Sequence, residues 1–364
     1  MTKKKKQIKN EEQFRIAGII RPSKEKQELQ AQGIKFPRLK PEEAKEAERQ
    51  SEDKAGPAFV TGKALMPRRD DSTANALYSE AVSLARKVYK VQTDKDSLAS
   101  GIYSLVERVV HLVINTEDSG LLKAALADYP SPEDYIYYHA VNVCIISLYI
   151  GLGLDYNPIR LNELGIAAFL HDIGLSRYLG IINKPKKLNL QEFSEIKQHP
   201  LIGPQMLGKI GESLNESIFE VIRQEHERID GSGYPEGLEE DEIIEYAQIV
   251  GLSDVYEAMM HKRPHRAKQS SLEVIKVLLN GKYSFSRRLI KVLIERVGIF
   301  PVGTSVMLST REVAEVLREN INSPLRPKVK IMLDATGKRL QELRQIDLAN
   351  NPTVYISGIY PKAA

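Results

Sequence analysis

From residue 72 onward, apolar residues recur at intervals of three and four, a period that predicts a succession of helices. Leu77, Ala81, Leu84, Ala85 and Val88 mark the first, and Ile102, Leu105, Val109, Leu112 and Val113 mark a second over 97–114. Ser131 and Pro132, with acids behind them, form a helix-opening signal. The helix they open runs through His139, Val143, Ile146 and Leu148. Further helices are expected over 161–173, 190–196, 213–229, 241–261, 271–279 and 286–296. After Gly298 the texture changes. Four short runs, TSVMLS, EVAEVL, KVKIML and TVYISG, are rich in β-branched and apolar residues, and DATGK at 334–338 reads as a hairpin turn.

The expected fold is therefore mainly α, with a small C-terminal antiparallel β appendage over 299–364. The first two helices, within 68–130, read either as a lead-in packed on the core or as a pair that makes a homodimer; both readings stand. Residues 1–67 carry only scattered apolar positions and read as a basic, mostly disordered arm.

Composition narrows the class. A chain of 364 residues with 42% hydrophobic positions can bury a substantial core. A single cysteine, Cys144, excludes a disulfide framework and fits a reducing cytoplasm. The opening MTKKKKQIKN has no apolar region behind its charges, so it is not read as a secretory signal. The apolar segment 141–154 is expected to be too short for a membrane span and is interrupted by Asn142. Net charge is +4, and residues 1–55 hold 15 Lys/Arg against 10 Asp/Glu. Without interleaved aromatics, the Lys3–Lys6 run reads as a solvated arm, and no nucleic acid polymer is expected as partner.

Two stretches carry chemistry. LHDIGLS ends an apolar helix with His171 and Asp172, and QEHERIDGSGYP (224–235) carries a helix with His226 into a glycine-rich loop. Taken alone, each fits a capped helix end. Together, in this order, they resemble the HD-GYP family of metal-dependent phosphodiesterases that open the bacterial second messenger cyclic di-GMP. The resemblance covers about 135–297, and the β appendage resembles an extension that often follows such domains. It implies an HD-type helical bundle over 131–298 that acts in signal transduction.

Residue by residue, the resemblance places metal ligands at His139, His171, Asp172, His199, His226 and Asp254. His171 and Asp172 form the catalytic pair. Substrate contacts fall on Tyr234, Arg263 and Arg266, an arginine forking onto phosphate and a tyrosine stacking on guanine. The intervals between the four histidines and Asp254 each span about one helix plus a loop, so successive helices can present one ligand apiece. Four imidazoles and two carboxylates suit Fe, Mn, Ni or Zn, and two such divalent ions are expected as cofactors. Neighbours in a regular helix point about 100° apart, so Asp172 is expected to bridge two ions beside His171. Two metals sharing a hydroxide would then provide the attacking group. The exposed loop Gly233-Tyr234-Pro235 is associated in the family with docking a diguanylate-cyclase domain.

The chain departs from the family pattern at four places. Leu175 stands where a lysine would hold a substrate phosphate. Glu225 replaces the first of two consecutive histidines, and still offers a metal a hard oxygen donor. Tyr135 stands where a glutamate would hold a third metal, and Glu257 occupies an aspartate position. Two functional expectations follow: a phosphodiesterase of cyclic di-GMP or a related cyclic dinucleotide, slowed by Leu175 and Glu225, or a non-hydrolysing sensor or scaffold that binds the nucleotide or a cyclase partner.

Overall fold

A computed structural model describes residues 71–360, apart from 91–94, 116–119, 132–133, 185, 208–213, 264–267, 282–284 and 321–322. The basic arm and Arg266 lie outside the described residues. The helices are α1 (Asp71–Tyr89), α2 (Lys95–Asn115), α3 (Gly120–Ala125), α4 (Tyr135–Gly153), α5 (Pro158–Leu170), α6 (Leu179–Ile182), α7 (Leu190–Ile196), α8 (His199–Leu207), α9 (Glu216–Gln224), α10 (Glu245–Met260), α11 (Ser271–Asn280) and α12 (Arg287–Val297).

Helix α4 is the axis of the bundle. It is apolar on every side, as a helix must be when neighbours surround it, and α1, α5, α10 and α12 pack against it. Among the described residues it is the one helix long and apolar enough to cross a membrane by length and composition, yet 78% of its apolar window is buried inside the protein. The expectation of a segment too short to span is corrected on length: 141–154 belongs to a longer helix of 19 residues, most of it in the core. The same helix starts later than its sequence signal, at Tyr135 after Asp134, whose carboxylate accepts a bond from Arg86 of α1 at 2.7 Å rather than capping its own helix.

The lead-in helices pack on the core. Ala81, Val82, Ala85, Val88 and Tyr89 of α1 are buried in the same cluster as Ile136, Val143 and Leu148 of α4. Three short helices were not anticipated, α3, α6 and α8. Asn189 caps α7 through a reciprocal box with Glu192, the Asn189 side chain accepting from the Glu192 backbone at 2.8 Å.

Residues 305–359 form a five-stranded antiparallel sheet in the order β4-β3-β2-β1-β5. The strands are β1 (Ser305–Leu308), β2 (Val313–Arg318), β3 (Lys328–Leu333), β4 (Arg339–Asp347) and β5 (Ile356–Ile359). Val306, Leu308, Ala314, Val316, Val329 and Ile331 alternate onto one face and form a separate core with Phe300 and Leu348. The 334–338 turn joins β3 to β4, with the Asp334 carboxylate accepting from the backbone of Thr336 and Lys338. Strand β4, RLQELRQID, escaped the sequence reading because it is an exposed edge with no clean apolar alternation.

Candidate metal centre

Helix α5 stops at Leu170, and the backbone then tightens into a 3-10 segment over Ile173–Tyr178. His171 and Asp172 therefore sit in a break, not in the regular helix expected over 161–173, and Asp172 takes φ −95 and ψ 15. The 100° separation no longer applies there. Gly174 makes the break compact: a Cβ at that position would lie 2.1 Å from the His199 carbonyl oxygen, so only glycine lets this loop touch the start of α8.

The helix expected over 213–229 is shorter too. Helix α9 ends at Gln224, and His226 lies in the turn beyond it. Arg228 holds that turn by donating to the carbonyls of Glu225 at 2.9 Å and Glu227 at 2.7 Å. Glu227 folds the next loop back, accepting from the backbone of Glu236 at 2.7 Å, Gly237 at 3.1 Å and Leu238 at 2.9 Å. A Cβ on Gly233 would stand 2.4 Å from the Glu227 Cα. The Gly-Tyr-Pro loop is thus half-buried and strapped to the site, which corrects the expectation of an exposed loop.

Within this frame the seven candidate ligands converge. His139 (α4), His171 and Asp254 (α10) form one group, and Asp172, His199, Glu225 and His226 form a second, with the candidate ligand atoms of each group within 4.8 Å of one another. Three imidazoles have their tautomer fixed from behind. His139 donates Nδ1–H to the Glu257 carboxylate, His171 donates to the Ala168 carbonyl at 2.7 Å, and His199 donates to the Ile196 carbonyl at 2.7 Å. Each then turns Nε2 inward, the arrangement that second-layer partners impose on metal-binding histidines.

The carboxylates lie between the groups. Asp172 Oδ2 is 3.5 Å from His139 Nε2 and 3.4 Å from His171 Nε2, while its Oδ1 is 3.2 Å from His199 Nε2. Glu225 likewise presents Oε2 to His171 at 3.7 Å and Oε1 to His199 at 3.6 Å. Asp254 Oδ1 is 3.1 Å from His139 Nε2, and the His199 and His226 Nε2 atoms face each other at 3.1 Å.

Several of these inward atoms are buried with no hydrogen-bond partner: His139 Nε2, His171 Nε2, Asp172 Oδ1 and both Glu225 oxygens. Orphaned polar atoms are costly in a protein interior. Neutral imidazole nitrogens and carboxylate oxygens are also the donor set for borderline divalent ions. The residues present fit a metal centre.

The electrostatics agree. Burial disfavours a charged His171, but Glu225 and Asp172 outweigh it and push its pKa up to about 9. Against the same burial, Asp172 and Glu225 raise His199 to about 10, and Glu257, Asp172 and Asp254 raise His139 well above the ordinary value. His226 moves the other way, lowered by burial and by the neighbouring His199. Burial opposes ionisation of Asp172, yet the surrounding histidines hold its pKa well below the carboxylate range. Glu225 is raised by burial and by Asp172, so it is the least compensated carboxylate of the set. Such a cluster of strongly shifted groups around one point is the mark of a functional site.

The expected substrate residues stand around the centre. Tyr234 stacks on His226, with ring centroids 4.6 Å apart, and the Lys197 ammonium lies 5.0 Å from the ring centre. Its ring surface is already engaged. Arg263 lies over Tyr135 with its guanidinium carbon 5.4 Å from the ring centre, and its Nη2 is 3.9 Å from Glu257. Glu257 is completely buried and stands behind His139 rather than among the inward atoms. The sequence reading missed Glu227, Asn142, Tyr129 and Lys197. Only Asn142 left a trace, as the polar residue interrupting an apolar run.

Comparison with known proteins agrees with this geometry. The family model for the HD domain matches residues 120–285, and the model for the KOW domain associated with the HD domain matches residues 305–362. Residues 120–285 therefore carry an HD domain. Its paired HD and GYP motifs, with the departures at Leu175 and Glu225, resemble a divergent member of the HD-GYP branch.

The chain is 31% identical over 242 residues to the cyclic di-GMP phosphodiesterase PA4108 of Pseudomonas aeruginosa, covering 66% of this chain and 58% of that one. It is 33% identical over 160 residues to a cyclic di-GMP phosphodiesterase of Thermotoga maritima, covering 43% of each. It is 31% identical over 160 residues to the 3'3'-cGAMP-specific phosphodiesterase 1 of Vibrio cholerae, covering 43% of this chain and 36% of that one. The matches thus span less than two thirds of these relatives' own length. Among solved structures, Bd1817, an HDG"Y"P protein from Bdellovibrio bacteriovorus, superposes with a TM-score of 0.51 at 17% identity, over 68% of this chain and 76% of that one, and shares the fold.

Proposed function

We propose that the chain is a metal-dependent phosphodiesterase that opens a cyclic dinucleotide, cyclic di-GMP or a close relative such as 3'3'-cGAMP. One observation carries the reading: buried imidazole and carboxylate atoms converge from α4, α8, α10, the break after α5 and the turn after α9, and several of their inward atoms lack protein partners. His139, His171 and Asp254 would hold one divalent transition ion, and His199, Glu225 and His226 a second. Asp172, with an oxygen toward each group, would join them. Bound ions of this kind neutralise phosphodiester charge and acidify water.

The chain's own residues supply the rest. Glu257 and the Ala168 and Ile196 carbonyls keep three Nε2 lone pairs turned inward. Arg263, at the edge of the His139 group, would orient a substrate phosphate, and Arg266 is assigned the same task from its place in KRPHR. Tyr234 and Lys197 would border the nucleotide on the His226 side.

The printed activities of the relatives support the substrate class. Docking of a diguanylate-cyclase domain on the Gly233–Pro235 loop belongs to this proposal, as does a cytoplasmic location, supported by the single buried cysteine. The non-hydrolysing alternative is not favoured, because every expected metal donor is present and positioned.

The test is product formation from cyclic di-GMP, 3'3'-cGAMP and cyclic di-AMP with Mn2+ or Fe2+ supplied. The proposal expects linear product from at least one, lost in Asp172→Ala. Binding of the nucleotides without cleavage under every metal would overturn it in favour of a sensor.

A further inference from the structure

Beneath the metal centre lies a second buried polar cluster, of which the proposed chemistry uses only the bond from His139 to Glu257. Its hub is Glu257 of α10, whose side chain has no solvent exposure. Oε2 takes the Nδ1–H of His139. Oε1 accepts from the Tyr129 hydroxyl and from Asn142 Nδ2 at 2.9 Å, and it lies 3.0 Å from His261 Nδ1, which also donates to the Glu257 carbonyl at 3.0 Å. His261 Nε2 meets the Ala127 carbonyl at 3.0 Å, so both its nitrogens face acceptors and the ring carries both protons. Ringed by donors, Glu257 is held as a carboxylate in one orientation, the one that receives His139.

The chain of bonds continues outward. Asn142 lies one turn beyond His139 on α4, and its Oδ1 accepts from the Tyr78 hydroxyl of α1 at 2.7 Å. Because a carboxylate only accepts, Asn142 must aim its amide nitrogen at Glu257 and its oxygen at Tyr78. Tyr78 thereby fixes the amide, the amide helps fix Glu257, and Glu257 fixes His139. Tyr78 lies outside residues 120–285, the span matched by the HD domain. Helix α1 also reaches the other half of the site, where the Tyr89 hydroxyl donates to the Phe169 carbonyl at 3.1 Å, two residues before His171.

We infer that the lead-in helix α1 is a working part of the metal centre: Tyr78 and Asn142 are positioning residues that orient His139 through Glu257, so metal uptake depends on the hydroxyl that α1 supplies to this chain of bonds. The inference rests on the metal reading above. The region before the HD domain thereby reaches a metal ligand through one hydroxyl.

The experiment uses the full chain and Mn2+ alone, measuring affinity against a chelating indicator, with thermal unfolding recorded on every variant. Asn142→Ala is expected to weaken uptake about tenfold and Tyr78→Phe about threefold, on the scale seen for outer partners of metal ligands. Because Tyr78 acts through Asn142, the double variant should bind no more weakly than Asn142→Ala alone. Leu77→Ala, a buried neighbour on α1 outside the chain of bonds, should lower the unfolding midpoint and leave affinity unchanged. Native affinity in Tyr78→Phe, full additivity in the double variant, or equal weakening in Leu77→Ala would each overturn the inference. If Asn142→Ala does not fold, the Tyr78→Phe and Leu77→Ala comparison decides alone. A native chain that takes up no Mn2+ would refute the metal reading itself, and this inference with it.

Discussion

At the residue scale, Leu175 and Glu225 set this chain apart from the family pattern, and the structure separates their effects. Leu175 is half-buried against the helical core just past Asp172, where it offers nothing to a phosphate. Glu225 is wholly buried between the two groups of donors and adds negative charge where the family has a neutral ring. The double change Leu175→Lys with Glu225→His should raise cyclic dinucleotide hydrolysis at least about tenfold, the scale of one recovered charged hydrogen bond. Single and double variants must be compared, because both residues act on one cluster. A double variant that takes up metal and binds nucleotide, yet turns over no faster than the parent, would show that neither residue limits the site.

The histidines make a second residue-scale prediction. In the metal-free protein His171 and His199 titrate near 9 and 10, above the ordinary imidazole value of about 6.5. A raised histidine pKa stabilises the fold fully below about 6.5, and that contribution is lost as pH rises through the folded-state values. The metal-free chain should therefore lose stability between about pH 6.5 and 10. Metal binding requires the Nε2 lone pairs of His139, His171 and His199, all raised, so uptake at pH 7 should expel about three protons per chain and tighten as pH rises. Calorimetry in buffers of different ionisation enthalpy reads the protons directly. Zero proton release with pH-independent affinity would contradict the protonation scheme.

At the scale of elements, the loop after α9 is fitted to the site by backbone contacts. Gly233→Ala would place a methyl group against the Glu227 backbone and force the strap open, at a cost on the order of 3 kcal/mol. A thermal midpoint equal to the parent's would contradict the close approach. Most element types were legible from period and punctuation, because α1, α2, α10, α11 and α12 bury one stripe or all sides of a regular helix. The breaks were less so. Helices α5 and α9 end before their candidate ligands, whose side chains leave the helix direction to meet at a shared point, and apolar periodicity does not register that. Strand β4 was illegible for the opposite reason, since an exposed edge needs no apolar face.

At the scale of the whole molecule, the candidate ligands, which the structure brings into two groups, could be read from the chain because histidine and aspartate in two motifs carry their chemistry in their identity. Their supports could not. Tyr129 and Tyr78 are ordinary residues that join Glu257, which the family pattern had marked, in one network only after α1, α4 and α10 pack together, with separations of 128 positions between Tyr129 and Glu257 and 64 between Tyr78 and Asn142. Glu227 and Lys197 were hidden in the same way, one behind a loop and the other over a ring.

The central claim is that Asp172 joins two ions in one centre, and elemental analysis of the purified chain beside Asp172→Ala tests it most directly. The account predicts about two transition-metal ions per native chain and a clear loss of metal, together with activity, in the variant, since one carboxylate serves both groups. An Asp172→Ala chain with full metal loading and normal turnover would contradict it.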